Sequence, residues 1–419
     1  MFIGPMVAQY TSEVKIVGLL DIDLHRMEIC KRKYPQLAGV PDFMPEDFER
    51  MIDQTRPDVV LVVGRDATHA NYIVAALQRG LDVVTEKPMA STAADCVRIL
   101  DAEAVSKGTV RVTFNYRYNP IHTKIKELIL GGALGRITSV DLNWYLDTFH
   151  GSSYFQRWNR DRNISGGLSI HKGSHHFDLV SWWIGQKPTD VFSFGALNYY
   201  GADGPANPEK VDGRFCGTCN VREQCAYYRR WHTRSQDLTV QDDHLGQVEG
   251  IPVDEEYQGY RRDMCIFDSA IDIEDTYAAT VRYDQGALLS YSVNFSLPYE
   301  GYRLAINGTE GRLETQEYHA PSRIPFPVPE QTIDYFPLFG SKQTLYVVRR
   351  EGGHGGGDPA LLEDLFLGED PNRTFPILSG SLDGAYAVAT GEAVWKSVKT
   401  GQPIAIETLL GKTPRHTKA

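Results

Sequence analysis

The chain has 419 residues, 42% of them hydrophobic and 11% aromatic, which is ample for a buried core and long enough to expect two domains with room for an insert. Acidic side chains outnumber basic ones by 54 to 43, and the net charge of −11 argues against nucleic acid or an anionic membrane as the main partner. No apolar run reaches the ~18 residues of a membrane span, the opening MFIGPMVAQYTSEV lacks the basic and apolar regions of a secretory signal, and six cysteines are too few for a disulfide scaffold, so a cytoplasmic protein is expected.

Residues 1–117 alternate between strand-like and helix-like segments. VKIVGLLDID (Val14 to Asp23) is a near-continuous apolar run, as a strand buried on both faces should be. Pro45 opens a short helix with acids in its first turn. DVVLVVG (Asp58 to Gly64) is a second strand, and the helix after it ends at Gly80. VVTEKP (Val83 to Pro88) and VRVTFN (Val110 to Asn115) are two further strands with a helix between them. Such alternation with short links predicts a Rossmann-type, doubly wound parallel sheet. Asp21 and Asp23 close the first strand, where a carboxylate can accept from an adenosine ribose and repel a 2′-phosphate, which favours NAD over NADP. Helix capping explains these acids equally well. Glu86-Lys87-Pro88 stands at a strand's carboxyl end, the ligand-binding edge of open α/β sheets. There Lys87 can donate to a substrate hydroxyl, although the tripeptide alone also fits a surface turn.

From residue 118 the composition shifts. PIHTKIKELILGGALG is a helix with a glycine-rich exit, and Arg136 to Thr148 alternates as a strand. Phe149 to Ser165 reads as a polar–aromatic loop whose His150, Tyr154, Arg157 and Trp158 suit a sugar, with ring faces for its C–H surface and forked donors for its hydroxyls. GGLSIHKGSHHFD (Gly166 to Asp178) follows and runs into the apolar LVSWWIG. On a helix His171, His175 and Asp178 share one face, a density of titratable groups that packing does not explain; solvated or cap-satisfied histidines are the alternative. Residues 200–265 form an insert rich in Gly, Pro and charge. Its Cys216, Cys219, Cys225 and Cys265 can hold one structural zinc, with disulfides or unligated thiols as the alternative. Three alternating segments after the insert predict an antiparallel meander. EGGHGGGDP (Glu351 to Pro359) reads as a flexible loop that brings His354 to the substrate, and Ser381 to Gly401 as a closing helix.

EKP after DVVT, DATH (Asp66 to His69), NYRYNP (Asn115 to Pro120) and the Gly166–Asp178 stretch occur in order at plausible spacings. Together they resemble the Gfo/Idh/MocA family, the glucose–fructose oxidoreductase and inositol dehydrogenase group, over nearly the whole chain. The resemblance implies a Rossmann domain (1–117) that binds a nicotinamide cofactor, NAD or NADP. It also implies a second α/β domain (118–419) with an open, mostly antiparallel sheet that often joins the copies of a homo-oligomer, a dimer or tetramer here. Lys87 matches the family's EKP lysine and His175 its essential histidine. His171 stands where the family usually has an aspartate, which makes it a third candidate for catalysis. His69, Glu86 and Lys87 join Asp21 and Asp23 as expected cofactor contacts. Arg117, Tyr154, Arg157, Trp158, Lys172, Asp178 and His354 are the expected substrate contacts. The expected reaction is NAD(P)-dependent oxidation of a secondary alcohol on a sugar, sugar acid or cyclitol. A glycoside-cleaving enzyme working by oxidation and elimination, or a ligand sensor without turnover, is the alternative.

One part of the pattern is missing. A Rossmann sheet begins with a strand and a G-x-G-x-x-G turn that faces the pyrophosphate, whereas MFIGPMVAQYTSEV reads as the first helix and VKIVGLLDID as the second strand. Strands two and four should then face a gap with unpaired backbone groups. Met1 is accordingly expected to be internal to a longer protein, with roughly 10–25 residues missing, and the chain as given to bind NAD poorly.

Overall fold

The computed structural model describes residues 1–210, 212–228, 261 and 263–411. Part of the expected insert at 200–265 therefore lies outside the described residues. In the N-terminal part, β1 (Leu19–Leu20) and β2 (Asp42–Phe43) pair in parallel with each other. β3 (Val59–Val62), β4 (Asp82–Thr85) and β5 (Val110–Val112) form a second parallel set, valine-rich as buried parallel strands are. Helices Asp66–Gln78 and Ala93–Val105 make the crossovers; the second starts where the Thr92 hydroxyl accepts from the Asp95 N–H.

The strand expected over Val14 to Asp23 shrinks to β1, and its two residues are only half-buried. The reason is the missing neighbour. Among the described residues no strand joins β1 to β3, so β1 has one partner and β3 pairs only with β4. Val59 and Val63 on that side are 47% and 54% exposed, unusual for a Rossmann centre. The opening segment is helical over Ile3–Ala8 alone.

The C-terminal part is a nine-stranded sheet. Its strands are β6 (Ile137–Asp147), β7 (Pro188–Ala196), β8 (Thr276–Tyr283), β9 (Leu288–Leu297), β10 (Glu300–Gly308), β11 (Gly311–His319), β12 (Thr332–Pro337) and β13 (Gln343–Tyr346), with β15 (Ile404–Ala405) at one edge. The order is β13-β12-β11-β10-β6-β9-β8-β7-β15, and every pair is antiparallel except β6 with β9. β14 (Ser379–Gly380) leaves this part of the chain and pairs antiparallel with β5, so the first sheet takes a strand from beyond residue 117. Helices Gly173–Ile184 and Ser381–Thr400 cover one face of the large sheet, and one apolar core runs through both parts. Among the described residues no helix is long and apolar enough to cross a membrane.

Two segments expected to be loops are structured. Thr148–Gln156 is a helix because the Asp147 carboxylate accepts from the Phe149 and His150 N–H groups, and Arg162–Ser165 is a further turn capped by Asp161. In EGGHGGGDP, residues His354, Gly355 and Gly356 turn left-handed in succession and feed a helix that runs to Leu367.

Gly166 and Gly167 set the entry to the histidine motif. Both have positive φ (71° and 86°), and a Cβ on Gly166 would stand 2.5 Å from the Ser91 carbonyl oxygen. Gly166→Ala is expected to lower stability by about 1–3 kcal/mol, visible as a lower unfolding midpoint; an unchanged midpoint would show that the turn tolerates a side chain.

Candidate active site

β4 delivers Glu86-Lys87-Pro88 to the carboxyl edge of the first sheet, and the Glu86 carboxylate accepts from the Lys87 backbone N–H at 3.1 Å. The Lys87 side chain crosses to the second part of the molecule, where its Nζ donates to the His171 carbonyl oxygen at 3.1 Å. Dense packing pushes the Lys87 pKa below its ordinary 10.5, against the pull of Glu86 and Asp66. One turn beyond His171, His175 is buried, with its ring 4.8 Å from Tyr116 and 5.9 Å from His354. Its Nδ1 is sealed without a partner. Burial, then the charges of Lys87 and Lys172, hold its pKa well below 6.5, so the ring is neutral at physiological pH.

His354 reaches this group from the far end of the chain. Its Nδ1 lies 2.9 Å from both Asp358 Oδ1 and Asn115 Nδ2, and its φ is 54°, rare for a residue with a side chain. The expectation that it faces the substrate region agrees with this placement. Lys172 is buried as well, with its ammonium 5.2 Å from the Tyr116 ring centre and 5.9 Å from that of Trp144.

Several expected contacts have other partners. Asp178 forms a buried fork with Arg117, with Nε to Oδ2 at 2.8 Å and Nη2 to Oδ1 at 2.5 Å. Burial works against the Arg117 charge, but Asp178 and Asp383 more than offset it. The His69 ring nitrogens lie 3.0 Å from the Pro88 carbonyl and 3.1 Å from that of Gly64, stapling the ends of β3 and β4. Both ring nitrogens of His171 have partners: Nδ1 meets Asp66 Oδ2 at 2.5 Å and Nε2 meets Asn159 Nδ2 at 3.2 Å. Asp23 caps the helix Leu24–Lys33 by accepting from the His25 N–H, and Asp21 accepts from the Asp23 N–H just ahead of that helix. The Tyr154 hydroxyl is 2.9 Å from His150 Nε2, and Arg157 folds back onto Ser153, donating to its carbonyl and hydroxyl. The Trp158 ring stands edge-on to His171.

The floor of the site was missed by sequence reasoning. Glu300 at the start of β10 accepts from His150 and from Arg323, while Glu317 and His319 lie one pleat apart on β11. Burial opposes the charge on His319, but Glu300 and Glu317 push its pKa up to about 9. These residues carry a readable signal: Thr315, Glu317 and His319 continue the phase of buried Leu313, so polar groups occupy the inward face of a strand.

All four cysteines of the insert line one cavity of about 20 Å³, beside Arg214, Arg222 and Phe267. None is in a disulfide. Burial, then the neighbouring thiols, raises the Cys216 pKa. Among the described residues no group of three or more His, Cys, Asp or Glu side chains is arranged as a metal site.

A parallel sheet that presents a lysine at its carboxyl edge to a histidine from an open-sheet second domain defines a two-domain oxidoreductase. Residues 2–114 match the family described as oxidoreductase family, NAD-binding Rossmann fold, and residues 126–406 its C-terminal alpha/beta domain. The chain belongs to the Gfo/Idh/MocA oxidoreductase family. It is 59% identical to YteT of Bacillus subtilis (strain 168) over 410 residues, 98% of this chain and 95% of that one. An inositol 2-dehydrogenase of Rubrobacter xylanophilus is 27% identical over 187 residues, 43% of this chain and 48% of its own length. Among solved structures, the aldose-aldose oxidoreductase of Caulobacter crescentus shares the fold with a TM-score of 0.60 at 17% identity, over 96% of both chains.

A nicotinamide cofactor fits this chain in part. The carboxyl ends of β3 and β4 and the open side of His175 suit the reacting ring. A glycine turn for the pyrophosphate is not present among the described residues.

Removing one member of the Arg117–Asp178 fork leaves the other charge buried. Asp178→Ala is expected to cost about 3–5 kcal/mol, whereas the double change Arg117→Met with Asp178→Leu recovers much of that loss. Unfolding midpoints of the three proteins check this, and a double variant as weak as the sum of its parts would contradict it.

Proposed function

We propose that the protein is an NAD(P)-dependent dehydrogenase acting on a secondary alcohol of a sugar, sugar acid or cyclitol. The observation that carries this reading is the convergence of Lys87, at the carboxyl end of β4, and His175, on the helix Gly173–Ile184, tied together through the His171 carbonyl. The bound nicotinamide supplies the hydride acceptor. His175, neutral and with Nδ1 sealed, takes the hydroxyl proton on Nε2. The Lys87 ammonium donates to the same oxygen and stabilises the negative charge that develops there. His354, held through Nδ1, offers its other ring nitrogen to a neighbouring hydroxyl. Asp66, His171 and Asn159 act by position, fixing the carbonyl that holds Lys87. One face of β8 and β9 remains open, which supports assembly of copies through the large sheet.

Lys87→Ala and His175→Ala are each expected to lower kcat about 10²- to 10⁴-fold with the fold intact. His171→Ala, which keeps the backbone carbonyl, should lose less. NADH formation across a panel of sugars and inositols measures this, and a near-normal rate in either of the first two variants sinks the assignment. Net NADH also separates dehydrogenation from oxidation–elimination.

The pH profile has a definite sign. The base works only when neutral, and its pKa lies below 6.5, so the acid limb of kcat/KM should fall below pH 6.5. Lys87 works only when charged, and its pKa lies below 10.5, so the alkaline limb should begin below pH 10.5. An acid limb at or above 6.5 would exclude His175 as the base.

The insert carries a second part of the proposal. Cys216, Cys219, Cys225 and Cys265 hold one structural zinc once their side chains turn into the cavity they already line. Elemental analysis of purified protein should find one zinc per chain that a chelator removes. Four titratable thiols and no metal would end this proposal.

A further inference from the structure

Lys172 has no assigned partner in the chemistry above. Its side chain is buried at 3% exposure, yet among the described residues no carboxylate lies within ion-pair distance of its ammonium and no hydrogen bond reaches it. Its contacts are the faces of Tyr116 and Trp144. The ammonium is not among the sealed polar atoms, so it still meets open space. Burial, opposed by Glu300, lowers its pKa to about 8, which leaves it mostly charged at pH 7. An interior cation without a counter-ion is costly, and proteins ordinarily supply one.

The surrounding carboxylates are otherwise engaged. Glu300 is bound to His150 and Arg323, Asp358 to His354 and Asn115, and Asp66 to His171. The place of the missing anion is also defined. Lys172 precedes His175 by three residues, and both approach the same Tyr116 ring, the ammonium at 5.2 Å and the imidazole at 4.8 Å between ring centres. An anion on Lys172 therefore sits beside the carbon that His175 and Lys87 address. A single compact cation without an arginine fork suits one negative charge better than a phosphate dianion.

We infer that Lys172 binds a carboxylate of the substrate, which makes the substrate a sugar acid, a uronate or an aldonate, rather than a neutral sugar or cyclitol. This rests on the dehydrogenase reading for the location of the reacting carbon but not for its test, which is binding. Titration calorimetry with the full chain compares galacturonate with galactose, glucuronate with glucose, and gluconate with glucitol. At least one acid should bind roughly 10- to 150-fold more tightly than its neutral counterpart, the range of a charge-assisted hydrogen bond. Lys172→Met removes a buried charge and should fold; it should erase that preference while leaving the neutral partner's affinity unchanged, and Lys172→Arg should retain part of it. If no acid binds better than its neutral counterpart, or if Lys172→Met weakens both equally, the inference is overturned. Were the variant to misfold, the wild-type comparison alone still decides. Acid-selective binding without NADH formation would refute the dehydrogenase reading and leave the subsite standing.

Discussion

The contact between Lys87 and the His171 carbonyl ties the carboxyl edge of the first sheet to the helical turn that opens the histidine motif. A carbonyl is an unusual partner for a buried ammonium. A carboxylate would neutralise the charge, whereas a carbonyl holds the side chain in place and leaves its field available to a substrate oxygen. The same burial that makes this cation effective lowers its pKa, so charge is kept by Glu86 and Asp66 nearby rather than by direct pairing. Much of the surrounding structure can be understood as support for that arrangement. Gly166 and Gly167 turn the chain so that the carbonyl points at Lys87, and His69 staples the ends of β3 and β4 from which Lys87 departs.

Around this contact, acids and cations are matched with little remainder. Asp66 takes His171, Asp178 takes Arg117, Glu300 takes His150 and Arg323, and Glu317 faces His319 and His122. Each pair is buried, so each carboxylate removed from the pool is one that cannot bind a substrate cation or quench a catalytic lysine. Lys87 and Lys172 stand outside this matching, and both lie close enough to His175 to depress its pKa. Pairing elsewhere is thus what leaves positive potential around His175 in a chain with a net charge of −11.

β3 to β5 were legible from their valine runs, and β8, β9 and β11 from the alternation that one buried face imposes. Lys87 and His175 were legible because they lie in dense local motifs. What spacing could not convey was the partner across the gap. His171, His175 and Asp178 do share a helix, but only the fold shows that Arg117 and Asp66 stand opposite two of them. The helix Thr148–Gln156 was read as a loop because its apolar periodicity is weak and its cap, Asp147, closes the preceding strand. The floor residues Glu300, Glu317 and His319 were overlooked since polar side chains on an inward strand face violate the pattern that identifies the strand.

His171 shows how a family pattern can change while its electrostatics persist. Where the family usually has an aspartate, this chain has an imidazole bonded at 2.5 Å to Asp66. The carboxylate has in effect moved outward by one side chain, to the first turn of the helix Asp66–Gln78, where the helix dipole favours an acid. The exchange keeps a negative charge near Lys87, since Asp66 still acts to raise its pKa, while putting a larger group between acid and lysine. It also brings two ring edges, those of Tyr154 and Trp158, against the imidazole, contacts that a short aspartate could not have made. The imidazole beside Lys87 is therefore flanked by two aromatic rings as well as by the Asp66 carboxylate.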